Sequence, residues 1–252
     1  MNRRRKKVGN LISQRYKKVK NGIIPEEWQI KEMGEVADFI NGRAYKQEEL
    51  LESGKYKILR VGNFFTNSDW YFSNLELPEE KYAHNEDLLY SWSGSFGPRI
   101  WNGNKIIFHY HIWKIVPKIQ VDKKYIYYYL EQDTATLKNN IQGGTMLHIT
   151  KNDMEKRKIL FPNMQEQKAI AQILITWDTA IEKQEGLLKL KKEQKIGLTK
   201  NLLSGKKRIF LKNDDKKWER IKAKEIFENI TDKNHNGKLE VLSSTQDRGV
   251  IP

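Results

Sequence analysis

The chain has 252 residues, 38% hydrophobic and 11% aromatic, with 46 Lys+Arg against 32 Asp+Glu and a formal net charge of +14. That apolar content supports a folded core in one or two domains, and the absence of cysteine excludes disulfides, thiolate metal sites and cysteine nucleophiles. So large a cationic surplus selects a polyanionic partner. No stretch approaches the ~18 consecutive apolar residues of a membrane span and the N-terminus lacks a signal-peptide block, so a cytoplasmic protein that binds nucleic acid is expected rather than one bound to a membrane.

Residues 1–22 carry nine Lys/Arg, no acid and few aliphatics, a composition that predicts a disordered basic arm. From 23 to 161 short apolar or aromatic runs alternate with Gly, Asn, Asp and Ser. Strands are predicted over Tyr56–Val61, Asp87–Trp92 and Lys105–Trp113, with Asn102-Gly103-Asn104 as a hairpin signal. A helix is predicted over Tyr125–Leu137, with Ile126, Tyr129, Leu130 and Leu137 near one face. The expected class is α+β: a mixed-sheet domain with long loops, followed by a long helix of coiled-coil type.

That helix begins after Pro162, where Asn163 and Glu166 form a capping-box pattern, and closes at Ser204-Gly205. A 4/3 spacing from Ile170 runs through Leu174, Trp177, Ile181, Gln184, Leu188, Lys191, Lys195, Leu198 and Leu202, and seven of these ten positions are apolar. A helix of ~40 residues is ~60 Å long, too long to lie wholly on the domain before it. The stripe Ile170, Leu174, Trp177, Ile181, Leu188, Leu198 and Leu202 is therefore expected to meet another helix.

A basic linker occupies 206–217, after which the pattern restarts. At a spacing of 190, Trp28 matches Trp218, Glu35 matches Glu225, Val36 matches Ile226 and Ile40 matches Ile230; with seven residues then missing from the loop, Lys55–Leu59 matches Lys238–Leu242. The organisation reads as a domain at 23–161, a spacer helix at 162–205 and the start of a second, incomplete domain at 218–252.

Catalytic signatures are missing from the sequence. The Gly-Lys pairs at Gly54, Gly205 and Gly237 lack the following Ser or Thr of a phosphate-binding loop. No two of the six prolines are adjacent, as a base-flipping amino-methyltransferase motif requires, and Gly94-Ser95-Phe96-Gly97 is out of register for a dinucleotide fingerprint. His109 and His111 would share one face of the predicted 105–113 strand, but with no carboxylate pair nearby they read as exposed polar positions rather than metal ligands.

Three segments carry a family resemblance. Ile24-Pro25-Glu26-Glu27-Trp28 with Met33-Gly34-Glu35-Val36 resembles the opening of a target-recognition domain in type I restriction–modification specificity subunits. Asp87-Leu88-Leu89-Tyr90-Ser91-Trp92-Ser93-Gly94-Ser95 is similar to that family's central strand and small-residue turn. Gly143-Gly144-Thr145 and Ile149, then Pro162, Glu166-Gln167, Ile170, Leu174, Asp178 and Ile181, resemble its domain exit and conserved helix. The resemblance implies that each recognition domain reads half of a split double-stranded DNA site and that antiparallel conserved helices set the spacing. It also implies that methyltransferase subunits and restriction/translocase subunits dock on this frame. Catalysis, with S-adenosylmethionine, ATP and Mg²⁺, would belong to those partners, and no cofactor is expected here. Family members usually carry two complete domains and two helices, so this chain is expected either to homodimerise through its helix and read a palindrome or to be a truncated product.

Candidate DNA readers lie on the loops. Arg43, Arg60 and Arg99 have the planar fork for a guanine edge, and Asn63 or Gln142 the amide for adenine. Asn41, Ser93, Ser95, Thr145 and His148 add polar groups, and the loop glycines would allow close approach to the duplex. Three other readings stay open on the residues alone: an RNA-binding module, a restriction or modification enzyme with its own site, and a scaffold bound through the helix.

Overall fold

A computed structural model of the chain describes residues 16–19, 22–65, 68–140, 148–209, 219–230, 243–245 and 249–251. In chain order these hold β1 (Tyr16–Val19), β2 (Gly22–Pro25), β3 (Gln29–Glu32), α1 (Met33–Val36), β4 (Ala37–Asn41), β5 (Tyr56–Leu59), α2 (Val61–Phe65), β6 (Tyr71–Ser73), β7 (Tyr82–Ala83), β8 (Leu88–Ser91), β9 (Gly97–Ile100), β10 (Ile106–Phe108) and β11 (Ile112–Pro117). There follow α3 (Lys123–Asn140), α4 (Lys151–Glu155), β12 (Lys158–Phe161), α5 (Met164–Leu203), β13 (Ser243–Thr245) and β14 (Gly249–Ile251). The class is α+β.

Two four-stranded sheets, ordered β4-β11-β8-β9 and β6-β5-β10-β7, build the domain. Strand side chains alternate between faces, and β8 uses both. Leu88 and Tyr90 join Phe39, Trp113, Ile115, Ile126 and Leu130 beneath α3, while Leu89 joins Leu59, Phe64, Ile106, Phe108 and Ile112 between the sheets. In β10 the alternation continues outward: Ile107 packs with Ile58 and Tyr82 on the far face of the second sheet. A strand apolar on both faces has no solvent side, which is why Asp87–Trp92 reads as a continuous run.

Several expectations need correction. The predicted 105–113 strand is two strands in different sheets. Phe108 ends β10, Ile112 N–H donates to the His109 carbonyl (2.9 Å) to close a turn, and β11 pairs with β4 and β8. His109 and His111 therefore lie on a turn, not on one strand face. Asn102-Gly103-Asn104 makes no hairpin, because β9 pairs with β8 and β10 with β5 and β7; the segment crosses between sheets with the Trp101 indole donating to the Asn104 carbonyl (2.9 Å). The strand predicted to Val61 stops at Leu59, where Phe64 N–H turns back to the Arg60 carbonyl (2.9 Å) and its ring is buried between the sheets. Helix α3 starts before Tyr125 because the Asp122 carboxylate accepts the Tyr125 N–H (2.9 Å). Of the arm, residues 1–15 and 20–21 lie outside the described residues, but its last stretch forms an antiparallel ladder, Tyr16↔Pro25 to Val19↔Gly22.

Strand β12 pairs with β3 and brings the two ends of the domain together. At that junction Asn163 Oδ1 accepts the Glu166 N–H (3.0 Å), one half of the predicted capping box. The Glu166 side chain is instead engaged by the Trp28 indole N–H (2.9 Å). Ile170 packs against the main core, whereas Leu174, Trp177, Ile181, Leu188 and Leu198 are 37%, 66%, 53%, 56% and 41% exposed, and Leu202 is half-buried. No helix among the described residues is long and apolar enough to cross a membrane.

The chain divides into two compact units at Gln184/Glu185, within α5. In the second, a helical turn at Ala223–Glu225 falls on the residues matched to Met33–Glu35, and β13 pairs with β14. Trp218 and the matched 238–242 segment lie outside the described residues.

Candidate nucleic-acid interface

The His109-Tyr110-His111 turn is the hub of one rim of the domain. Arg43 N–H donates to the Phe108 carbonyl (3.0 Å), Tyr110 N–H to the Arg43 carbonyl (3.1 Å) and His109 N–H to the Leu59 carbonyl (2.9 Å). From the third side, Trp92 N–H reaches the His111 carbonyl (3.0 Å) and its indole N–H the Tyr110 carbonyl (2.9 Å). Beside Trp92, Ser93 bridges to His148. Loops separated by more than 100 residues in sequence thus meet at one edge: Asn41–Arg43, Arg60–Asn63, Trp92–Ser95, His109–His111 and His148. Gly42 is required here, since a Cβ would lie 2.3 Å from the carbonyl oxygens of Phe108 and His109. The close approach this glycine permits is to the chain's own backbone.

The arginines divide by partner. Arg43 makes a two-pronged pair with Glu49 (2.8 and 2.7 Å), which holds the Glu49 carboxyl down at about 2; Arg157 pairs with Asp133 (2.5 Å). Arg60 and Arg99 have no ion pair among the described residues. Each rests on an aromatic face, Arg60 5.1 Å from the Tyr71 ring and Arg99 5.3 Å from Phe65. That contact orients a guanidinium without using up its N–H groups.

Arg60 and Asn63 line a cleft of about 510 Å³ with Trp70, Tyr71, His109 and His111. The Asn63 amide N–H donates to the Asp69 carbonyl. Burial lowers the His109 imidazole to about 4, helped by His111 and the Arg60 charge, and burial with His148 lowers His111. Arg99 lines a different groove of about 620 Å³, with Lys124, Tyr128, Lys138, Asp178 and Glu182 among its walls. Asn41 is exposed and its carbonyl accepts from Lys81 (2.9 Å). Ser93 is buried, and the exposed Ser95 gives its carbonyl to Ser91 Oγ (2.9 Å). Gln142 and Thr145 lie outside the described residues. Among the described residues no cluster of three His, Asp or Glu side chains suits a metal ion.

A family model described as the type I restriction modification DNA specificity domain matches residues 25–192. The chain belongs to this family. It is similar to the type I restriction enzyme MjaVIII specificity subunit of Methanocaldococcus jannaschii (28% identity, 81% of this chain, 50% of the relative). It also resembles the EcoBI specificity subunit of Escherichia coli (26% identity, 62% of this chain, 34% of the relative). The chain thus spans half or less of the length of these curated relatives. In fold it matches the crystal structure of the HsdS subunit from Thermoanaerobacter tengcongensis, with TM-score 0.54 at 17% identity over 69% of this chain and 42% of that one.

The specificity-domain motifs have visible work in this geometry. Trp28 of the opening motif and Glu166 of the helix motif hold one another. Gln167 is buried, accepting the Asp122 N–H (2.9 Å) and donating to the Pro162 carbonyl (2.8 Å). Asp178 accepts the Tyr128 hydroxyl (2.6 Å) and ties α5 to α3. Sequence reasoning missed the His109–His111 turn as part of the rim. A signal was present: two imidazoles and a tyrosine interrupt an apolar run too long for one strand of this small domain.

Proposed function

We propose that the chain is a non-catalytic, DNA-reading specificity subunit of a type I restriction–modification complex in the cytoplasm. It binds duplex DNA and reads one half of a split site. Methyltransferase and restriction/translocase subunits dock on it and bring S-adenosylmethionine, ATP and Mg²⁺. The observation that carries this reading is the rim, where loops distant in sequence converge with an arginine that has no ion pair among the described residues, on a family DNA-specificity domain in a chain of net charge +14. Lysines on phosphates supply affinity and register, and forked donors at base edges supply choice. Arg60 and Arg99 lead the reading set, which also includes Asn41, Asn63, Ser93, Ser95, Gln142, Thr145 and His148. Arg43 would have to exchange Glu49 for a base or phosphate.

The exposed stripe from Leu174 to Leu198 supports a second element of the proposal: two copies pair through α5 and read a palindrome. The test is enrichment from a random duplex pool by the full chain, with single-stranded RNA as competitor. A compact motif is expected, doubled into a palindrome where the chain sediments as a dimer. Enrichment of no motif, or displacement of duplex by RNA, would overturn the function.

A further inference from the structure

Resting on that DNA-reading function, we propose that Arg60 and His109 form a paired reading head, Arg60 taking the major-groove edge of a guanine and the His109 imidazole the same or neighbouring base pair. His109 enters on the structure alone.

The parallel register of β5 and β10, Ile58↔Ile107 and Leu59↔Phe108, continues to put Arg60 and His109 side by side at the strands' C-terminal ends. The His109 N–H bond to the Leu59 carbonyl fixes that level. Adjacent strands lie ~4.8 Å apart and successive bases ~3.4 Å apart along a strand, so two side chains leaving at one level address one or two consecutive base pairs. Both line the cleft between Trp70, Tyr71 and His111.

Their chemistry is complementary. Arg60 is exposed, meets no carboxylate among the described residues and is steadied over Tyr71, which leaves its fork for two acceptors such as guanine N7 and O6. His109 is half-buried against Tyr45, Tyr110 and His111. Neither of its ring nitrogens makes a hydrogen bond to the described residues. Its burial, with His111 and the Arg60 charge beside it, keeps the ring neutral, offering one donor and one acceptor. It can therefore accept from an exocyclic amino group that an arginine would repel. A phosphate anchor would need charge alone; a planar fork beside a neutral imidazole is suited to base edges.

The test enriches motifs with full-length wild type, Arg60→Ala, Arg60→Lys and His109→Phe, each first checked for an unchanged thermal melt. Wild type should select a motif with a guanine. Replacing that guanine with 7-deazaguanine should weaken wild-type binding about 5- to 150-fold, the range of a good base-edge pair, and leave Arg60→Ala unaffected. Arg60→Lys should keep general DNA affinity and lose the guanine preference, and His109→Phe should relax preference only at that or the adjacent position. Full preference in Arg60→Lys, or wild type indifferent to 7-deazaguanine, overturns the pairing while the DNA-reading function stands. A wild type that enriches no motif removes both.

Discussion

Adding one methyl group at Gly42 tests whether the rim is built as described. In Gly42→Ala the new Cβ meets the Phe108 and His109 carbonyl oxygens at 2.3 Å and the His109 carbonyl carbon at 2.6 Å. These are backbone atoms that cannot swing aside like a side-chain tip, so the two segments must separate by roughly 1 Å to reach ordinary contact. That movement strains the Arg43-to-Phe108 and Tyr110-to-Arg43 bonds. Overpacking costs about 1–3 kcal/mol and each of the two weakened hydrogen bonds about 0.5–1.5, so a loss of roughly 2–6 kcal/mol is expected. This is a large share of the stability of a typical folded domain, about 5–15 kcal/mol. The chain should stay folded, with a lower urea midpoint, an unchanged slope and weakened DNA binding. Gly186→Ala is the control. It sits in α5 with nothing within 4 Å, and replacing a helical glycine should stabilise by about 0.5–1 kcal/mol. The same chemical change should thus have opposite signs at two sites. A Gly42→Ala midpoint within about 0.5 kcal/mol of wild type, the size of an ordinary surface change, would refute the close contact.

Arg99→Ala should cost ~1–3 kcal/mol on a cognate half-site and relax preference there; equal loss on scrambled DNA, measured by anisotropy, would remove it from the readers. Trp28→Phe deletes the donor to Glu166 and should lower stability by about 1–2 kcal/mol, with Glu166→Gln milder because an acceptor remains. Trp177→Glu, at a 66%-exposed position of the stripe, should convert a sedimenting dimer to monomer while the recognition domain stays folded; an unaltered dimer would exclude pairing through this face. His109 titrates at about 4 when folded against 6.5 as its ordinary value, so the unfolded chain takes up the proton first as pH falls. Its contribution is whole above pH 6.5 and is lost between 6.5 and 4, by about 1–2 kcal/mol once discounted for a half-solvated ring. His109→Gln should flatten that share of the stability–pH curve, and an unchanged slope would contradict the buried, neutral ring.

The sequence by itself determined what local chemistry controls. A helix is made of contacts three and four residues apart, so Pro162, Asn163 and the spacing from Ile170 located α5 to within two residues at each end of its Met164–Leu203 span. The charge, the missing catalytic motifs and the motifs around Trp28, Trp92 and Glu166 pointed to a DNA-specificity family before any fold was in view. Sheet membership is a non-local choice, and there the tertiary structure decided. Phe108 and Ile112 are equally apolar; the His109-Tyr110-His111 interruption between them marks a break, but not that one ends a strand of one sheet and the other begins a strand of the next. That choice turns His109–His111 from a strand face into the hub of the rim. The arginines divide for the same reason: Arg43, Arg60 and Arg99 look alike along the chain, and each lies over an aromatic ring, but only the fold shows the Glu49 carboxylate on the first.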